Sequence, residues 1–319
     1  VSRRRSPDEL VAAALGGERA ALARLLSLVE RGGPAAREVG RLVHPLGGHA
    51  YTVGLTGAPG AGKSTLTSAA VGVLRSRDQR VGVLAIDPSS PFTGGAILGD
   101  RVRMGDHALD DEVFIRSMAT RGHLGGLALA TPEAVRVLDA AGFPWVVVET
   151  VGVGQVEVEV AGSADTTVVV VNPGWGDAVQ ANKAGLMEIA DVFVVNKADR
   201  PGAAEARRDL EQMLDLSAPG DWRVPVLATV AETGEGVAEL VDAVADHRAH
   251  LEASGGLVRR RRERLGGELH RILAERLLDE ARRLGRGDAF DDAVAAVGER
   301  RVDPWTASDG LLEGRLTDR

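Results

Sequence analysis

Eight consecutive residues, Gly57-Ala58-Pro59-Gly60-Ala61-Gly62-Lys63-Ser64, carry the strongest chemical signal in the chain. They fit the pattern G-x-x-x-x-G-K-[ST], in which glycines let the backbone curl so that its N–H groups face phosphate oxygens. Gly57, Gly60, Ala61, Gly62 and Thr65 are the phosphate-lining positions of such a loop. Lys63 would neutralise charge on the β- and γ-phosphates, and the Ser64 hydroxyl would enter a Mg²⁺ shell. The helix that follows adds its N-terminal dipole.

A second group selects the base. Asn196-Lys197-Ala198-Asp199 follows the apolar run Val192–Val195 and reads N-K-x-D. The Asp199 carboxylate can accept hydrogen bonds from guanine N1–H and the exocyclic amine. Adenine offers no matching donors there, and a desolvated carboxylate left without them is penalised. Thr229-Val230-Ala231, after the next apolar run, is placed to offer backbone N–H groups to guanine O6.

Metal and γ-phosphate groups are expected at strand ends between these motifs. One run ends in Asp87, another in Glu149, and Asp100 closes a glycine-rich stretch. Carboxylates beside a phosphate loop bind Mg²⁺ directly or through water. The plainer reading of Asp87 and Asp100 is a cap or turn role. Glu149 is different, because an acid ending an apolar strand is costly without a partner. Gly152 offers an N–H to the γ-phosphate and lets its loop move when that phosphate leaves. Val153 stands where a water-orienting Gln would follow that glycine. Slow or partner-dependent hydrolysis is expected.

Lysine usage adds an independent pointer. Of 38 basic residues only Lys63, Lys183 and Lys197 are lysine. In so arginine-rich a chain, a lysine marks a site that wants a compact point charge rather than a planar fork. Two lie in the motifs above, which singles out the third, Lys183.

The motifs need a frame. Seven short β-rich runs (51–56, 80–86, 113–116, 145–150, 166–172, 192–196 and 224–228) alternate with helical stretches at 63–75, 132–141, 178–190, 203–214 and 237–253. Continuous apolar strands between amphipathic helices imply a doubly wound, mostly parallel sheet covered on both faces, an α/β architecture. Three parts are expected: a helical segment over 1–45, the nucleotide domain over 46–255 and a helical arm over 256–319. In the first part, Ser6-Pro7-Asp8-Glu9 is a helix start. Helical spacing runs on through Leu22, Leu25, Leu26 and Val29 to the break at Gly32-Gly33-Pro34, and a second helix covers 35–43. In the arm, Leu265, Leu269, Ile272, Leu273, Leu277, Ala281 and Leu284 form an apolar stripe that must bury against the domain or another chain. A short helix over 288–297 follows.

Composition excludes other classes. The 319 residues contain no cysteine, so disulfides, thiolate-bound metals and a thiol nucleophile are absent. A net charge of -8 argues against general nucleic-acid binding. The apolar runs are too short to span a bilayer, and the basic start lacks an apolar segment behind it. A cytoplasmic protein with no membrane or nucleic-acid partner is expected. Asp246, His247 and His250 read as an exposed helix face, with a metal patch as the rival. Arg259 to Arg262 read as a solvated helix start.

Four stretches then carry a family resemblance: 85–91 (AIDPSSP), 93–101 (TGGAILGDR), 121–126 (RGHLGG) and 149–155 (ETVGVGQ). With the phosphate loop and N-K-x-D in order, they resemble the MeaB/ArgK family from about residue 42 to 254. Its members are GTPase chaperones of the adenosylcobalamin enzyme methylmalonyl-CoA mutase, the human methylmalonic aciduria type A protein among them. The resemblance implies a P-loop fold of the SIMIBI class, GTP as substrate, Mg²⁺, slow partner-stimulated turnover and a homodimer built through the arm. It implies that Ser64, Asp87, Asp100 and Glu149 serve the metal. It likens residues 172–183 to a switch loop that couples nucleotide state to the mutase, with Gln180 and Lys183 as contacts. Val156 departs from the small polar residue common at that position. Older labels in the family point instead to an ATPase or kinase of arginine and ornithine transport, which N-K-x-D disfavours.

Overall fold

The computed structural model describes residues 5–87, 105–107, 109–119, 124–150, 164–174, 187–216 and 220–313, without the side chains of 87, 106, 119 and 124–129. Two compact units divide at residues 264 and 265.

The first unit is built on a seven-stranded sheet. The strands are β1 (Tyr51–Gly57), β2 (Val81–Asp87), β3 (Val113–Ala119), β4 (Trp145–Thr150), β5 (Thr166–Val171), β6 (Val192–Asn196) and β7 (Val226–Thr229). Their order is β3-β2-β4-β1-β5-β6-β7, and each neighbouring pair is parallel. All seven fall where the apolar runs predict them. Alternation along a strand divides two cores. On β4, Trp145 and Val147 face one core, while Val146 and Val148 face the other. Both faces must therefore be covered by helices.

Helices α4 (Lys63–Ser76), α6 (Ala203–Asp215) and α7 (Val237–Ala253) cover the first face, with Leu66, Leu210 and Leu240 buried there. The other face receives α1 (Pro7–Leu15), α2 (Arg19–Arg31), α3 (Gly33–Val43) and α5 (Leu124–Ala140). The N-terminal helices thus share the core of the sheet. Leu22, Leu25, Leu26 and Val29 of α2 bury with Leu84, Phe114 and Val146.

Three helical expectations change. The continuous N-terminal helix is two, because Gly16 and Gly17 interrupt it and Gly17 takes φ 90°. Helix α5 starts eight residues before Pro132, which stands inside it rather than at its first turn. A further helix, Pro304–Glu313, follows the Asp288–Gly298 helix in the second unit.

Helix α8 (Gly256–Leu284) begins in the first unit. In the second unit it continues as the leucine stripe, followed by α9 (Asp288–Gly298) and α10 (Pro304–Glu313). Leu265, Leu269, Leu273, Leu277 and Leu278 are all exposed. No helix of the described residues is long and apolar enough to cross a membrane.

Candidate functional site: the C-terminal ends of the strands

Strand order gathers the motifs. β1 runs into the phosphate loop, with β4 on one side and β5 then β6 on the other. Leu55 of β1 is level with Glu149 of β4, and Ile86 of β2 is level with Thr150. Asp87 closes β2 at this same end of the sheet.

The loop turns on glycines that no other residue replaces. Gly57 has φ 139°, and a Cβ there would collide with the Val170 carbonyl of β5. Gly62 caps α4 in the left-handed region, and a Cβ would strike Asn196 Nδ2. Both constraints come from neighbouring strands, so the loop is moulded against the sheet.

Lys63 is buried, and its Nζ donates to the carbonyls of Gly57 at 2.8 Å and Ala58 at 3.1 Å. Lys197 reaches the same loop from the far side, its Nζ donating to Gly60 O at 2.7 Å. Two of the three lysines therefore grip one loop. Lys197 itself takes φ 60°, a left-handed conformation that aims its side chain back across the loop.

Asn196 is the central tie. Its Nδ2 donates to Ala61 O at 2.8 Å. Its Oδ1 accepts from Thr229 Oγ1 at 3.0 Å and from the Ala231 N–H at 3.1 Å. One buried amide thus joins the phosphate loop to the loop after β7. The Val230 N–H donates to Glu235 O at 2.9 Å. Of the N–H groups read from the sequence as O6 donors, that of Val230 thus closes its own loop and that of Ala231 is held by Asn196. Asp199 is exposed beside this tie.

On the other flank, Ser64 Oγ donates to Glu149 Oε1 at 2.5 Å, and Glu149 is fully buried. Thr150, unremarked in the sequence, buries its hydroxyl against Leu55 O at 3.2 Å and ties β4 to β1. Ser64 and Glu149 together present hard oxygen donors of the kind Mg²⁺ takes, so these residues fit the metal. Among the described residues no group of three acidic or histidine side chains is arranged to hold a metal ion. The Asp87 side chain, Asp100, Gly152, Val153, Val156, Gln180 and Lys183 lie outside the described residues.

The opposite end of the sheet holds polar groups whose setting differs from the sequence expectation. Asp165 and Asp191 each precede a strand, and both are buried. Asp165 Oδ2 accepts from the Thr52 N–H at 3.0 Å, and Asp191 Oδ2 from the Thr167 N–H at 2.9 Å. Arg260 forks onto Asp191 at 2.7 and 2.9 Å. Arg261 reaches Asp165 at 2.7 and 3.1 Å, and Arg264 pairs with it as well. Burial pushes the Asp165 carboxyl up, but the hydrogen bond from Arg261 and the charges of Arg264 and Arg261 outweigh it and hold the carboxyl below its ordinary range.

His247 is fully buried there, not on an exposed face. Its Nδ1 meets Thr166 Oγ1 at 2.8 Å, and that hydroxyl also meets Tyr51 OH at 2.6 Å. Burial lowers the His247 pKa to about 4 against the opposing pull of Asp191. The imidazole is neutral at pH 7, and its 3.4 Å approach to Asp191 is no ion pair. The basic run and the histidine look solvent-facing in the sequence because their partners lie far off along the chain: Arg261 and Asp165 are 96 residues apart. A signal exists. Ala-Asp stands before the apolar strand in both Ala164-Asp165 and Ala190-Asp191.

The comparisons with known proteins follow from this geometry. A family model described as "Methylmalonyl Co-A mutase-associated GTPase MeaB" matches residues 22–285. A protein of Pyrococcus abyssi named as a GTPase is 49% identical over 310 residues, covering 96% of each chain. The mitochondrial methylmalonic aciduria type A homolog of Mus musculus is 33% identical over 294 residues, covering 85% of this chain and 70% of that one. A crystal structure of a protein named as a LAO/AO transport system kinase superposes with a TM-score of 0.72 at 30% identity over 97% of both chains.

Proposed function

The chain belongs to the family of methylmalonyl-CoA mutase-associated GTPases and is a P-loop GTPase, and from that premise we propose that it serves as a GTP-switched chaperone of an adenosylcobalamin-dependent acyl-CoA mutase. Methylmalonyl-CoA mutase is the client we favour, with GTP hydrolysis gating cofactor loading and protecting the loaded enzyme. The observation that carries the nucleotide half is the Asn196 tie, which sets the N-K-x-D loop against the phosphate loop at hydrogen-bond distance. The client half rests on the family description and on the name of the mouse relative.

The chain's own groups divide the work. Loop N–H groups and Lys63 bind the phosphates of GTP; to do so, the ammonium exchanges the carbonyls of Gly57 and Ala58 for phosphate oxygens. Asp199 reads the guanine edge. Ser64 and Glu149 would hold Mg²⁺, joined in our reading by Asp87 and Asp100. The ion, when bound, neutralises charge between the β- and γ-phosphates. Water attacks the γ-phosphorus, and the bond to the β–γ bridging oxygen breaks to leave GDP and phosphate. With valine at 153 in place of a water-orienting glutamine, basal turnover is slow, and the partner supplies the missing organisation. Gln180 and Lys183 are our candidates for that contact. The exposed leucines of α8 are our candidate for a homodimer interface, and cytoplasmic placement accompanies this reading.

The second reading is a kinase or ATPase of arginine and ornithine transport, favoured by the name given to the protein of the superposed crystal structure. One experiment separates them: hydrolysis of GTP and of ATP, each with and without a cobalamin-dependent mutase from the same source. Slow GTP turnover accelerated by the mutase supports the chaperone. Preferential ATP turnover, indifferent to the mutase, would replace it with the transport reading.

A further inference from the structure

A cavity of about 600 Å³ lies among the N-terminal helices, away from the nucleotide loops. Its walls come from α1, α2 and the start of α3. Helix α2 contributes Arg24, Ser27, Leu28 and Arg31, which share one helical face by their spacing. Leu10 and Leu28 form an apolar floor, Leu10 buried and Leu28 half-buried. Arg5, Arg24 and Arg31 stand exposed around it.

The charge pattern runs against the rest of the molecule. In a chain of net charge -8, the described residues lining this cavity include three guanidiniums and no carboxylate. Arg5 is oriented by Glu18, whose oxygens accept at 2.7 and 2.8 Å. Among the described residues Arg31 spends only its Nε, on Ser27 O at 3.1 Å. Arg24 makes no ion pair with the described residues. The start of α3, capped by Gly32 without a side-chain hydrogen bond, borders the cavity and adds partial positive charge. Gathered cations of this kind are relieved by an anion, and guanidiniums bind carboxylate, sulfonate or phosphate oxygens in pairs.

The floor says what else the occupant carries. Among the described lining residues Ser27 is the sole neutral polar side chain, and its hydroxyl is engaged, donating to Ala23 O at 2.9 Å and accepting from Arg116 at 3.0 Å. A sugar or base would find no free hydroxyl or amide among the described lining residues, so a second nucleotide site is disfavoured. An apolar body fits the floor, and the volume suits a small molecule.

We propose that this cavity binds a small organic anion, its acidic head held by Arg24 and Arg31 and its apolar body resting on Leu10 and Leu28. The proposal is independent of the mutase reading. The probe is 8-anilinonaphthalene-1-sulfonate, titrated by fluorescence into the full chain saturated with GDP and Mg²⁺ so that the phosphate loop is occupied. A saturable component is expected whose Kd rises at least tenfold in R24Q/R31Q and is unchanged in L269Q/L273Q, which alters only the leucine stripe. Octanoate or octyl phosphate should displace the dye, the stronger competitor identifying the head group, and 1-octanol should not. The arginine positions are exposed, and an unchanged melting temperature verifies the fold; single R24Q and R31Q variants give the same comparison if the pair melts early. Equal dye affinity in wild type and R24Q/R31Q would overturn the proposal. So would loss of the component in L269Q/L273Q, or displacement by octanol as strong as by the two anions.

Discussion

The two ends of the sheet both hold buried acids and cations, yet they are built to opposite purposes. At the C-terminal ends, Lys63 and Lys197 rest on loop carbonyls and Glu149 on a serine hydroxyl. Among the described residues these partners are neutral, and phosphate, metal or water can take their place. At the N-terminal ends, Asp165 and Asp191 are matched by arginines through forked, charged hydrogen bonds. Both carboxylates there are taken up by arginine, and the ion pairs join β1, β5 and β6 to the root of α8. What separates a site from a fastening is the partner. A charge held by a neutral group is available for ligand, whereas a charge held by its complement is spent on architecture.

This contrast predicts where substitutions act. The largest effect belongs to the fastening. Asp165→Ala strands Arg261 and Arg264 and removes the acceptor of the Thr52 N–H. Losing one partner of a buried pair costs about 3–5 kcal/mol, and urea unfolding should show it; a loss under about 1 kcal/mol would mean that water reaches these arginines. Next comes pH. Folded His247 has a pKa of about 4 against 6.5 for an unperturbed imidazole, so between those values only the unfolded chain takes up the proton. Stability is therefore complete above pH 6.5 and falls as the pH drops toward 4, by about 3 kcal/mol at most. His247→Gln should flatten that window. The Asp165 contribution, with its carboxyl held below the ordinary range, is lost only at still lower pH, so the two losses separate on an acid titration.

At the other end, Lys63→Ala should leave unfolding within about 1 kcal/mol of wild type, because its partners among the described residues are loop carbonyls that water can satisfy. GTP binding should weaken by about 2–3 kcal/mol as the charged phosphate contact is lost, seen in a nucleotide titration. A large stability loss with unchanged affinity would reverse the distinction between the two ends. The smallest effect expected is on discrimination. Asp199→Ala, at an exposed position, should not change stability but should lower the preference for GTP over ATP by about tenfold or more, the order of one lost charged hydrogen bond. Preference retained would place base reading elsewhere in the 229–231 loop.

Legibility follows the range of the interaction. The strands can be read because each is an unbroken apolar run, and the phosphate loop because its glycines and Lys63 fall within eight residues. The helix break at Gly16-Gly17 is hidden by strong periodicity on either side, and the true start of α5 by Pro132, which looks like a first-turn proline. Arg260, Arg261 and His247 look solvent-facing because helix position alone leaves a charged residue's partner undefined. The same holds for Asn196. Its motif points to guanine, while three neighbours from two other loops define where its amide sits.

By itself the amino-acid sequence determined the class of chemistry. Local backbone freedom at Gly57, Gly60 and Gly62, the charge of Lys63 and the carboxylate of Asp199 are properties of single residues and short spacings. So is the alternation that demands a sheet covered on both sides. Tertiary structure alone decided which charges are available. Glu149 and Asp165 are both buried acids of the same sheet, one near the end of β4 and the other just before β5. One became a candidate ligand because a serine faces it, and the other a fastening because two arginines from a helix 96 and 99 residues onward do. That choice depends on strand order and helix docking, which bring together groups whose sequence separation carries no trace of their meeting.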